Sequence, residues 1–254
     1  VLEKMKKLMA ANWKMYKTRA EAEQTAKELV RLVGSLPEDR EVLVFPPFTS
    51  IDVVTSVFEG HAGFFVGGQD FYTEQEGAFT GEIAPSMLVD CGARYGLAGH
   101  SERRHVLGET DVFVGDKTAF GLASGLKVVL CVGELLEERK ADKVQEVLSR
   151  QIRAGLKGVP HDVDPASLAV AYEPVWAIGT GEVAGSDEIK DAHAICRNEL
   201  IELFGDKGND IRILYGGSVK PDNCFGIISL DNVDGVLVGG ASLQGESFSK
   251  IVLA

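Results

Sequence analysis

Residues 168–181 read LAVAYEPVWAIGTG. The run Leu168–Tyr172 is continuously apolar, as expected of a strand buried on both faces of a parallel sheet. It delivers one carboxylate, Glu173, and stops there. Pro174 cannot donate to a sheet ladder and fixes its own φ. Val175 and Trp176 are stiff. Ala177, Ile178, Gly179, Thr180 and Gly181 are small and apolar with two glycines, which reads as a hinge beside a flap that closes over a ligand. An acid at a strand mouth under an apolar flap suits proton abstraction from carbon. Closure expels water and strengthens each electrostatic contact inside.

Seven other short apolar runs resemble this one: Leu8–Asn12, Glu41–Phe45, Gly63–Gly67, Arg94–Ala98, Lys127–Cys131, Ile211–Leu214 and Gly235–Val238. Amphipathic stretches separate them. Ala22, Ala26, Leu29 and Val33 share one helical face, and Val144, Val147, Leu148 and Ile152 share another. Ser186, followed by Asp187 and Glu188, reads as an N-cap with acids in the first turn. Eight βα units predict an α/β fold, a (β/α)8 TIM barrel with a parallel eight-stranded inner barrel, as one domain over residues 5–254. The alternative is an open doubly wound sheet, but no GxGxxG follows the first strand. Val1–Lys4 precede Met5, are too short and polar for a signal peptide, and read as an N-terminal extension or a cloning remnant.

Composition narrows the function. Glycine is frequent, 29 of 254 residues, as many tight turns between strands and helices require. The net charge of −12 disfavours nucleic acid and anionic membrane as partners. Cys91, Cys131, Cys196 and Cys224 are widely spaced without a CxxC pair, which fits reduced thiols in a cytoplasmic protein. No apolar run is long enough to span a membrane.

The unusual polar residues fall just after strands, on the end where barrel active sites lie. Strand one ends in Asn12-Trp13-Lys14. Gly99-His100-Ser101-Glu102-Arg103-Arg104 follows strand four, Glu173 follows strand six, Tyr215-Gly216-Gly217-Ser218 strand seven, and Gly239-Gly240 strand eight. Singly, Lys14 reads as a solvated loop lysine and His100 as a structural histidine; together at strand ends they read as a site. Glu102, Arg103 and Arg104 read as an ion-pair network around it. His61, His105, His161 and His193 join no constellation. Gly217, Ser218, Gly239 and Gly240 occupy the loops that commonly hold phosphate in barrels, where backbone N–H groups approach an anion without a Cβ in the way. Such a cradle suits a phosphate dianion in an acidic chain, with Lys14 as the nearby full positive charge.

Met5 onward resembles the triosephosphate isomerase family. The resemblance rests on Ala11-Asn12-Trp13-Lys14-Met15, Ala78-Phe79-Thr80-Gly81-Glu82, Gly99–Arg104, Cys131-Val132-Gly133-Glu134, Glu173–Gly181, Tyr215–Val219 and Val238-Gly239-Gly240. It implies interconversion of dihydroxyacetone phosphate and glyceraldehyde 3-phosphate, without metal or organic cofactor. It casts Glu173 as base and His100 as a neutral imidazole whose basicity a helix N-terminus at Ser101 depresses. Asn12 and Lys14 would stabilise enediolate and phosphate, and Glu102 would organise Lys14. Gly179 would offer an N–H to phosphate, and Tyr215 and Ser218 would latch the flap formed by Pro174 to Gly181. The resemblance also implies a homodimer, with the loop Gln69 to Glu82 inserting into a second copy and Thr80 reaching that copy's Asn12–Lys14 turn. Phe71, Tyr72 and Phe79 on this long loop read as exposed aromatics in need of a partner. Two departures stand out. Glu182 replaces the usual Lys at the far hinge, where a solvent-facing carboxylate should alter opening kinetics, and Asp70 stands where Asn is common, adding charge near the pairing surface. Another phosphate-binding barrel would need a larger pocket and a different acid–base pair. A non-catalytic scaffold would not need Glu173.

Overall fold

A computed structural model describes residues 5–178 and 182–254; Gly179, Thr180, Gly181 and the first four residues lie outside the described residues. The described residues form eight strands: β1 Lys7–Asn12, β2 Arg40–Phe45, β3 Phe64–Gly68, β4 Tyr95–Ala98, β5 Lys127–Val132, β6 Leu168–Tyr172, β7 Arg212–Tyr215 and β8 Gly235–Val238. Every neighbouring pair is parallel, and β1 also pairs with β8, so the sheet closes on itself. Helices cross between strands and cover the outside, the (β/α)8 architecture expected above.

The period-two alternation of a strand sorts the core into two clusters. Leu8, Ala10, Leu43, Phe45, Leu97, Val129, Cys131, Ala169, Ala171, Leu214 and Leu237 pack together as the barrel interior. Met9, Ala11, Val42, Val44, Val128, Leu130, Val170 and Tyr172 pack in the larger cluster beneath the helices. Asn12, Glu173 and Gly239 continue the inward parity of their strands, which aims them at the barrel axis where the ladders end.

The helices form for readable reasons. Arg19–Val33 buries Ala22, Ala26, Leu29 and Val33, as predicted, and starts at a capping box in which the Thr18 N–H donates to Glu21 at 2.7 Å. Val147, Leu148 and Ile152 are buried in the helix Val144–Gly155. Ser186 is not the N-cap: Gly185 is, and its N–H donates to the Glu188 carboxylate at 2.7 Å. A glycine has no side chain to cap with, so the glutamate three residues on closes the helix end instead. Of the loop aromatics, Phe71 is buried rather than exposed. A Cβ on Gly96 would stand 2.5 Å from its ring and one on Gly121 2.7 Å, so two glycines make its slot. Tyr72 stacks on Phe79 with ring centroids 4.7 Å apart, and only Phe79 of the three is exposed.

His193 sits fully buried against the Tyr172 and Tyr215 rings, and its Nδ1 bonds the Asn232 carbonyl at 2.8 Å. Burial drives its pKa down to about 4 from 6.5. The unfolded chain then binds a proton that the native state refuses, so stability falls as pH drops from about 6.5 toward 4 and is fully present above that window. The loss should reach about 3 kcal/mol at the acid end. Urea denaturation at several pH values checks this: His193→Gln should remove about that much of the acid slope. A variant with the parent slope would assign the dependence to other groups.

Candidate active site

Asn12, Lys14, His100, Glu173, Ile178, Ser218 and the glycines 216, 217, 239 and 240 line one cavity of about 220 Å³ at the C-terminal end of the strands. That volume is small against the roughly 300–1,000 Å³ of drug-sized ligand sites, and suits a three-carbon phosphate. The cavity also takes in Lys220, which the sequence reading passed over.

Glu173 is 2% exposed and is held from several sides. Its N–H donates to the Val132 carbonyl at 2.7 Å. One carboxylate oxygen stands 3.0 Å from His100 Nε2, and the other accepts the Ser101 N–H at 3.0 Å. Burial pushes its pKa up, but His100, the Ser101 N–H and Lys14 outweigh burial and leave it below the ordinary carboxylate value. The resting carboxylate is therefore ionised and engaged. Desolvation does not raise its basicity overall in this arrangement.

His100 caps the short helix Ser101–His105. Its Nδ1 accepts the Glu102 N–H at 3.3 Å, leaving Nε2 as the proton-bearing nitrogen facing Glu173. The helix N-terminus thus opposes protonation at Nδ1 as expected. The net pKa is nonetheless raised: burial lowers it, and the adjacent Glu173 carboxylate more than offsets burial.

Lys14 adopts a left-handed φ of 51°, uncommon for a residue with a Cβ and costly unless its surroundings enforce it. Its N–H donates to Asn12 Oδ1 at 2.9 Å, its carbonyl accepts from Gln69 Nε2 at 2.8 Å, and its ammonium bonds Glu102 at 2.7 Å. Glu102 pairs with Lys14, and among the described residues it shares no ion pair with the arginines beside it. Arg103 turns to Asp70 at 2.9 Å and Glu109 at 2.6 Å, and Arg104 to Asp111 at 2.6 Å. Asp70 is accordingly buried, its charge offset by Lys117 at 2.6 Å and by Arg103. Burial raises its pKa against those two cations.

The near end of the expected flap is anchored. Trp176 Nε1 donates to Glu134 at 2.7 Å, and the same oxygen accepts from Tyr172 at 3.1 Å and Arg139 at 2.8 Å. Sequence reasoning gave Glu134 no role, because nothing local links it to an indole forty-two residues away. Parity places Tyr215 under the helices, where burial raises its pKa to about 12 and the Ala184 backbone opposes the rise. Its hydroxyl makes no full hydrogen bond among the described residues. A Cβ at Gly217 would stand 2.2 Å from that hydroxyl. Glu182 is exposed, as expected, and so is Thr80, outside the cavity. Gly179, Thr180 and Gly181 are outside the described residues. Among the described residues no three His, Cys, Asp or Glu side chains gather to hold a metal, and no helix is long and apolar enough to cross a membrane.

Comparisons with known proteins identify the family. A family model described as Triosephosphate isomerase matches residues 7–254. The triosephosphate isomerase of Oleidesulfovibrio alaskensis is 62% identical over 250 residues, covering 98% of this chain and 100% of that relative. The one from Nitratidesulfovibrio vulgaris (Miyazaki F) is 61% identical over 251 residues, with the same coverage. The crystal structure of triosephosphate isomerase from Bartonella henselae is similar with a TM-score of 0.88 at 36% identity, covering 97% of this chain and 98% of that one. The chain belongs to the triosephosphate isomerase family.

Proposed function

We propose that Glu173 is the base and His100 the proton donor in an isomerisation that moves one proton between adjacent carbons. The reaction interconverts dihydroxyacetone phosphate and D-glyceraldehyde 3-phosphate, the family's chemistry. Glu173 takes a proton from the carbon beside the carbonyl and returns it to the neighbouring carbon. Nε2–H of a neutral His100 donates to the carbonyl oxygen and carries protons between the two oxygens. Asn12 and Lys14 stabilise charge on the enediolate and phosphate. The observation that carries the reading is the 3.0 Å approach of His100 Nε2 to the Glu173 carboxylate inside the glycine-lined cavity. A substrate carbonyl entering there must part the two and free the base from Ser101. A positioned base supplies about 10²–10⁴-fold, so electrostatic stabilisation and phosphate binding carry the remainder. Replacing the base while keeping its shape, Glu173→Gln, tests the assignment. Lost turnover with retained phosphate affinity supports it, and an equally active variant ends it.

The phosphate cradle is assigned to Gly217, Ser218, Gly239 and Gly240, with the Gly179 N–H added on closure. Pro174 to Gly181 forms the lid, latched by Tyr215 and Ser218.

The working unit is a homodimer paired through the loop Gln69 to Glu82, with Thr80 meeting the Asn12–Lys14 turn of a second copy. Its support is apolar exposure in three loops at this end of the barrel: Met15 at 95%, Phe79 at 40%, and Val106 and Leu107 at 76% and 63%. Sedimentation velocity at micromolar concentration should show a dimer; a purely monomeric boundary counts against it. The four unpaired cysteines suit a reducing compartment, here assigned as the cytoplasm; recovery in a secreted fraction would contradict this.

A further inference from the structure

Lys220 lines the active-site cavity, yet the proton transfers do not use it. The turn after β7 engages its backbone. The Lys220 N–H donates to Asn223 Oδ1 at 2.8 Å, and its carbonyl accepts the N–H groups of Asn223 at 3.2 Å and Cys224 at 3.0 Å. Its side chain is exposed, and its ammonium makes no hydrogen bond or ion pair among the described residues.

The remaining charges at the cavity leave little attraction for an anion. Lys14 is bonded to Glu102, and Glu173 is engaged by His100 at 3.0 Å. The neighbouring Arg103 and Arg104 are tied to Asp70, Glu109 and Asp111. Glu102 takes up the charge of Lys14 and His100 faces Glu173, so among the described residues Lys220 is the cavity lysine with no charged partner. Without Lys220 the described residues offer no unpaired lysine at the mouth, in a chain of net charge −12 that must draw in a phosphate ester of charge about −1.5 to −2.

We propose that Lys220 is a substrate-capture residue, its ammonium drawing the phosphate of the triose phosphate toward the cradle of Gly217, Ser218, Gly239 and Gly240 while taking no part in proton transfer. Focused positive potential at a cleft raises encounter rates by about 10–10³-fold and fades with ionic strength. Triosephosphate isomerase is a standard example of catalysis near the diffusional ceiling, where any loss of encounter rate passes directly into kcat/KM. The inference rests on the isomerase reading, which the turnover of the parent enzyme tests separately.

The test is steady-state isomerisation of glyceraldehyde 3-phosphate at low ionic strength and again near 0.3 M NaCl. Lys220→Gln should lower kcat/KM by about five- to tenfold at low salt and leave kcat within about twofold. The gap should shrink to about twofold at high salt, where charges separated by more than a few ångströms are screened. Lys220→Glu should fall further, and Lys220→Arg should match the parent. Lys250→Gln removes the same charge from a surface pair outside the cavity and should change nothing. Because backbone contacts hold the turn, these replacements leave it intact. Parent-like kcat/KM for Lys220→Gln at low salt, a loss that salt does not relieve, a matching fall in kcat, or an equal loss in Lys250→Gln would each overturn the proposal.

Discussion

Glu173→Gln should lower kcat by about 10³-fold or more, while the inhibition constant for inorganic phosphate stays within about threefold. The amide keeps the size of the carboxylate and loses the basic lone pair, so the damage falls on the transition state and spares ground-state grip on phosphate. One side effect is calculable from the resting geometry. The carboxylate accepts from both the Ser101 N–H and His100. An amide can accept with only one end, and the imidazole cannot change tautomer freely because its Nδ1 is committed to the Glu102 N–H. One buried donor therefore loses its partner, at a cost of about 1–3 kcal/mol. Progress curves in a coupled assay, phosphate inhibition and a thermal melt together separate the outcomes. If turnover and phosphate affinity fell by the same large factor, the whole site would have collapsed and the base would stay unassigned.

Gly133→Ala should be the most disruptive single methyl in the protein. The added Cβ would stand 1.7 Å from the Glu173 carbonyl oxygen and 2.6 Å from its carbon. Both are backbone atoms, so no rotamer change relieves the clash. The main chain has no slack on either side. Gln151 clamps Gly133 by accepting its N–H at 2.8 Å and donating to its carbonyl at 3.2 Å, while Glu173 is tied to Val132. The two strand ends must part. We expect a loss of about 3 kcal/mol or more, which for a chain of this size lowers Tm by about 10 °C. What remains folded should lose at least about 100-fold in kcat/KM, because the base moves by about an ångström. Gly226→Ala is the control: its Cβ meets nothing within 4 Å inside a helix, so stability should hold or rise slightly. Parent-like activity in Gly133→Ala would mean that the two strand ends are not locked together.

The strands were legible because their apolar runs are short and, the first excepted, marked by a glycine or proline at an end. Predicted and observed bounds differ by about one residue, within the fuzziness of any strand end. The site was legible because its polar residues end those runs, and inward parity carries Asn12 and Glu173 to the axis. What stayed hidden depends on atoms far apart in sequence. Phe71 looked like an exposed loop aromatic because its slot is made by Gly96 and Gly121, whose missing side chains no local pattern connects to it. Asp70 looked like a surface charge because its partners, Lys117 and Arg103, reach it only through the fold. The depressed pKa of Glu173 could not be foreseen either. Burial alone points upward, and only the fold brings Ser101 and His100 around the carboxylate.

Ring closure has a temporal corollary. The first strand pairs on one side with the second and on the other with the last, so one of its edges stays open until the end of the chain arrives. On the ribosome, every earlier group of the constellation is already made but unassembled when the eighth strand leaves the exit tunnel. A nascent or clipped polypeptide that lacks the eighth strand should therefore be catalytically silent and sticky along that open edge, and activity should require that strand to close the ring.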